Sequence, residues 1–132
     1  MRIRRPTERW FPCVGDPDEG SVLIKHLTPG EVQDIANEAM PQKYEYAPDD
    51  EGKLIPKLTV GMDTGISREL TFIACILDWK NFFDEDGNQL ACTPENITRA
   101  SREIEGLNDF ITECQNILAD DIKKEAGGQE KN

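Results

Sequence analysis

The chain has 132 residues, 26 acidic and 15 basic, for a net charge of −11, with 37% hydrophobic residues. That length allows one modest core, and that charge repels a phosphate backbone over most of the surface, so nucleic-acid binding is disfavoured. No apolar run approaches the roughly 18 residues that span a bilayer, and no signal-like stretch follows the opening arginines, so a soluble cytoplasmic protein is expected.

Arg2, Arg4 and Arg5 run against the net sign and, lacking interleaved aromatics, read as a solvated terminus. Residues 8–14 and 21–27 are apolar-rich runs on either side of Gly15-Asp16-Pro17-Asp18-Glu19-Gly20, the pattern of a β-hairpin with a longer loop. Leu27-Thr28-Pro29-Gly30-Glu31-Val32 combines an N-cap hydroxyl, a proline at the first position, a glutamate at the third and a hydrophobic staple. A helix over 29–39 follows, with Val32, Ile35, Ala36 and Ala39 as its apolar stripe.

Residues 40–56, with three prolines and Asp49-Asp50-Glu51-Gly52, read as a long loop in which Tyr44 and Tyr46 anchor to the core or serve a partner. Residues 57–60 suit one more short strand. The run 66–79 is apolar almost all round, with Ile66, Leu70, Ile73 and Leu77 on one stripe and Phe72, Ile76 and Trp79 on another, and predicts a central helix. Asp84-Glu85-Asp86-Gly87-Asn88 is a tight-turn sequence, and Thr93-Pro94-Glu95 opens a helix over 93–104. After Gly106 the stripe Leu107, Phe110, Ile111, Cys114, Ile117 and Leu118 runs towards Ile122, giving an antiparallel helix pair. The period is lost from residue 123, so 127–132 is expected to be a flexible tail.

The expected fold is therefore α+β, mostly α: an N-terminal β-hairpin followed by about four helices in a single domain over 1–126, with a helical core over 57–122. Catalytic signatures are thin, and a non-enzyme without cofactor or metal is expected. Placing Gly87 at position six of a calcium loop puts Phe82 at position one, which has no ligating oxygen. Asp16, Asp18 and Glu19 read as a solvated loop tip, and His26 has no nominated partner. Four cysteines without a C-x-x-C pair read as structural thiols, although three disulfide pairings are open to them.

Trp79 closing an apolar helix, the Asp84-Glu85-Asp86-Gly87 turn, an apolar pair and Thr93-Pro94-Glu95-Asn96-Ile97 opening the next helix resemble the small phage and prophage proteins described as tail assembly chaperones. Trp10-Phe11-Pro12, the turn Asp16 to Gly20, then Val22-Leu23-Ile24 and a short polar helix are similar to the opening of the same group. Together the matching segments span roughly half of the chain. The resemblance implies a cytoplasmic binding module that keeps the long, largely helical tape-measure protein soluble, helps recruit tail-tube subunits and leaves before the virion is complete. A homo-oligomer is compatible with that role.

A groove for the partner is expected beside Phe82, Phe83 and Leu90 and on the outer faces of Ile97 and Phe110, although each of these also suits ordinary core. Two other classes fit the composition. One is a structural component of a phage particle, such as a connector or tail subunit. The other, weaker because the acids are interleaved with 15 basic residues, is an acidic inhibitor that mimics DNA.

Overall fold

The computed structural model describes residues 1–40, 42–60 and 63–130. In chain order the elements are β1 (Glu8–Pro12), β2 (Ser21–Lys25), α1 (Pro29–Glu38), β3 (Gln42–Pro48), β4 (Leu54–Val60), α2 (Thr64–Cys75), β5 (Ile76–Lys80), α3 (Pro94–Glu103) and α4 (Leu107–Glu130). The fold is α+β with the expected N-terminal hairpin and four helices, and helix outweighs strand by 44% to 22%. Among the described residues no helix is long and apolar enough to cross a membrane.

β2 is the centre of an antiparallel sheet ordered β1-β2-β5. Period-2 alternation turns Val22 and Ile24 inward, and Phe11 and Trp79 both stand across from Val22. Against this face pack Phe72 and Cys75 of α2, Ile97 and Ala100 of α3, and Leu107, Ile111, Cys114 and Leu118 of α4. The α4 set recurs at i, i+4, i+7 and i+11, one stripe of a helix. Burial pushes the Cys75 and Cys114 thiols up to about 12 and Cys92 up to about 11, so these cysteines stay neutral and pack as small hydrophobes. All four cysteines are free.

Two segments depart from the expected layout. The first is the end of the central helix. Helix α2 stops at Cys75, and Ile76 takes extended dihedrals (φ −85°, ψ 109°) and pairs with β2. The register slips between Leu23 and Ile24, so that Leu23 faces Asp78 while Ile24 faces Ile76 and Leu77 becomes the extra, outward residue of a β-bulge. Ile76 and Trp79 are therefore both inward although three residues apart, a spacing that also describes one face of a helix.

The second is the segment 40–56, expected as a long loop, whose described residues are mostly strand. β3 and β4 pair antiparallel over their full lengths, with Tyr46 across Pro56 and Pro48 across Leu54. The turn between them is built on Asp49, whose Oδ1 accepts from the Glu51 and Lys53 N–H groups while Gly52 sits at φ +83°. The strand expected at 57–60 is the second half of β4, and the 57–122 region departs from a helical core only in also holding β5. At the far end, α4 continues to Glu130 through most of the expected tail, and 131–132 lie outside the described residues.

Helix α1 begins as its sequence requires. Thr28 Oγ1 accepts from the Glu31 N–H (3.3 Å), and Glu31 Oε1 accepts from the Thr28 N–H (3.1 Å). Lys25 Nζ lies 2.7 Å from Glu31, and this bond first, with the Thr28 N–H second, holds the Glu31 carboxyl below its ordinary value of 4.5. A lowered folded pKa stabilises the fold above the unfolded value, and the contribution disappears as pH falls through the folded one. Glu31→Gln is accordingly expected to cost about 0.5 kcal/mol at neutral pH, small because the pair is part-exposed, and the gap to wild type should close on acidification below the ordinary carboxylate range. Urea titrations at neutral and acid pH read this directly; a gap that does not change with pH would remove the electrostatic explanation.

Candidate protein-binding site

Three turns converge at one end of the sheet. The β1–β2 turn is organised by Asp16, whose carboxylate oxygens accept from the Asp18 and Gly20 N–H groups (3.2 and 2.9 Å), while the Glu19 N–H donates to the Asp16 carbonyl (3.1 Å). Three residues after Asp16, Glu19 sits in the left-handed region (φ +54°), a position that glycine fills at Gly52 and Gly87 in the other two aspartate-led turns. Because the Asp16 carboxylate is spent on its own backbone, it serves as a turn residue.

The second wall follows β5. Asn81 turns the chain at φ +60° and its Nδ2 donates to the Glu19 carbonyl (3.1 Å), tying this wall to the first turn. Phe82 then stacks on Trp79 with ring centroids 4.4 Å apart and planes 2° from parallel. The Leu90 N–H donates to the Phe82 carbonyl and the Leu90 carbonyl accepts the Trp79 indole N–H, each at 2.8 Å. Between them Asp84 Oδ1 accepts from the Asp86 and Asn88 N–H groups (2.9 Å each), which confirms the turn and leaves that oxygen no role as a metal ligand. Gly20 allows the two walls to meet: a Cβ there would stand 2.8 Å from Asp16 Oδ2 and 3.4 Å from the Phe82 ring.

The third wall is the reversal between α3 and α4, where Gly106 (φ +80°) lets Leu107 restart the helix and the Phe110 N–H donates to the Gly106 carbonyl (3.0 Å). The three walls enclose an open cleft of about 480 Å³ lined by Val14, Phe82, Phe83, Ile104, Leu107 and Phe110 among others. Its lining includes Asp16, Asp18 and Glu105 and no lysine or arginine.

Of the five residues expected to contact a partner, Phe82, Phe83 and Phe110 come together in this cleft. They differ in access: Phe83 is 37% exposed, Phe110 is partly buried, and Phe82 is buried against Trp79. Leu90 and Ile97 do not line it. Leu90, like Phe110, is partly buried against the core, whereas Ile97 is a core residue of α3 at 3% exposure and offers a partner no outer face. Val14, 93% exposed, and Ile104 were not anticipated. Val14 directly precedes the turn glycine Gly15, so its side chain falls beyond the last paired residue of β1 and escapes the alternation that buries Phe11.

Among the described residues no group of three or more potential ligands gathers to hold a metal ion. His26 lies just past β2, where its N–H donates to the Thr7 carbonyl (2.8 Å), and its ring borders an apolar hollow between α1, α2 and α4. The first-residue arm is tied down in part, with Arg4 3.6 Å from Glu125.

No protein-family model, curated protein or solved structure matches the chain.

Proposed function

We propose that the protein is a non-enzymatic binding module that shields an apolar, lysine- or arginine-flanked helical segment of another protein, acting as a phage tail assembly chaperone. One observation carries this reading: an open cleft whose floor is Phe82, Phe83, Phe110 and Ile104 and whose charged lining is entirely acidic. Apolar side chains at a cleft floor recognise an amphipathic helix by its stripe, and an acidic rim selects the sign of the flanking charges. The large negative charge of the chain would keep such a complex from aggregating. In the tail-assembly setting the bound segment belongs to the tape-measure protein, and the tail-tube protein is the second partner.

The test is co-expression with a tape-measure protein, with the soluble fraction assayed for both chains. The long protein should remain soluble and co-purify with the wild type, while the exposed pair Val14→Glu/Phe83→Glu should lower recovery by at least about tenfold, since two carboxylates would enter an apolar contact. Circular dichroism on the isolated variant checks that the fold survives. If the long protein's solubility is indifferent to the wild type, the chaperone reading fails, and a permanent component of the particle becomes the better description.

A further inference from the structure

The charged lining of the cleft is acidic, without a lysine or arginine, and one stretch of the same chain carries the opposite pattern. Residues 1–5, Met1-Arg2-Ile3-Arg4-Arg5, hold three of the 15 basic residues and no acid, in a chain of net charge −11. Met1 and Ile3 are fully exposed, and none of the five belongs to a strand, a helix or the core. The sheet releases this stretch at a defined point: the His26 N–H donates to the Thr7 carbonyl (2.8 Å), and Pro6, which has no N–H, ends the ladder. Apolar side chains set among arginines are what an acidic cleft with an aromatic floor selects.

We infer that residues 1–5 of one copy seat in the cleft of a second copy, so that copies join head to tail. The site is the one on which the proposed function rests, with a second copy in place of the tape-measure protein. Geometry keeps the chain's own cleft out of reach. Arg4 lies 3.6 Å from Glu125 and Arg9 pairs with Asp121, so the stretch runs beside the far half of α4. The same helix begins at Leu107, which lines the cleft, and at 1.5 Å per residue Glu125 is about 27 Å along the axis from it. The residues preceding Arg4 extend by only about 10 Å. Even freed from Glu125, the stretch would have to double back along the whole of β1 to reach Val14.

Charge selects the occupant. Over most of their surface two such acidic molecules repel, and residues 1–5 meeting Asp18 and Glu105 make the favourable encounter. Arg2 and Arg5 make no ion pair among the described residues, so seating them breaks none. The two contact surfaces differ and lie at opposite ends of α4, which makes the contact heterologous. A copy that seats its stretch still offers its own cleft, and association continues past a pair. Seating also covers Val14 and Phe83 until a tighter-binding helix displaces the stretch.

Sedimentation velocity of the full chain alone, from low micromolar to several hundred micromolar in dilute salt, is the test. The mass should rise past that of a dimer, and 0.5 M sodium chloride should weaken association at least about tenfold, because the Debye length then falls below about 5 Å. Arg2→Glu/Arg5→Glu and Val14→Glu/Phe83→Glu should each stay monomeric alone, the first lacking the basic stretch and the second the cleft. Mixed, they should form a one-to-one pair and nothing larger, the cleft of the first holding the stretch of the second. All four positions are exposed, so each variant should keep the wild-type far-ultraviolet dichroism. A wild type that stays monomeric or stops at a dimer in dilute salt, or folded variants that fail to pair on mixing, would overturn the head-to-tail contact. No foreign protein enters this experiment, so its failure leaves the co-expression test standing, and the reverse holds too.

Discussion

Trp79→Ala is expected to cost about 3–5 kcal/mol of stability, a large share of the 5–15 kcal/mol typical of a domain. Trp79 is 7% exposed, lies face to face with Phe82 and donates its indole N–H to the Leu90 carbonyl (2.8 Å). Truncation thus opens a cavity, strips one face of the Phe82 ring and leaves a carbonyl without its donor, effects that reinforce one another because all three meet at the one side chain. Trp79→Phe keeps most of the volume and loses only the donor, so it should cost about 1–2 kcal/mol. Urea denaturation of both variants separates the contributions; equal losses would mean that the stack contributes nothing beyond the hydrogen bond. Because Phe82 is a wall of the cleft, Trp79→Ala should also weaken partner binding.

Ile24→Ala should come close behind, at about 2–5 kcal/mol. Ile24 is fully buried on the central strand, directly across from Ile76 at the bulge, so the deletion removes packing at the one place where the sheet's register changes. A conservative Ile24→Val should cost about 1 kcal/mol. Chemical denaturation followed by tryptophan fluorescence measures both; a cost below about 1 kcal/mol for the alanine variant would mean that the site collapses around the gap.

Particular residues show how far the sequence could be read. Two helix starts were legible because caps are local: Thr28 with Glu31 and Thr93 with Asn96 make the bonds that their side chains prescribe, whereas the Asp63 cap that starts α2 at Thr64 was not read. The first hairpin was legible by its alternation. The end of α2 was not, because a β-bulge places Ile76 and Trp79 on one face at the same three-residue spacing as a helix, and local periodicity has no way to distinguish the two without knowledge that β2 offers a free edge. The second hairpin was missed for a different reason. Asp49-x-x-Gly52 and Asp84-x-x-Gly87 are the same turn, each with a carboxylate oxygen accepting from the N–H groups two and four residues on, but prolines at 48 and 56 argued for a loop. Prolines at the outer edges of a two-stranded ribbon displace no ladder bond, so they were compatible with strands all along.

The site was legible in part. Of the aromatic residues beside the Asp84 turn, Phe82 and Phe83 both line the cleft, and Phe83 is the exposed one. Access was harder to foresee. Phe82 and Ile97 are as apolar as Phe83, and only the tertiary arrangement decides which of them the core claims. Val14 and Ile104 carry no local signal at all, because their exposure arises from two chain reversals, at Gly15 and Gly106, that happen to share a boundary.

The second hairpin also bears on how the sheet is assembled, because the Asp63 N–H donates to the Ala39 carbonyl and closes that excursion at its base. Pairing β2 with β5 joins residues separated by about 50 positions of chain, and the entropy lost on closing a flexible loop grows with the logarithm of its length. Once β3 and β4 have zipped and that bond has formed, the excursion is bypassed and the effective loop is nearly halved, which lowers the closure cost by about 0.5 kcal/mol. A ribbon that gives nothing to the finished core would in this way act as a splint, shortening the search by which the third strand finds the sheet.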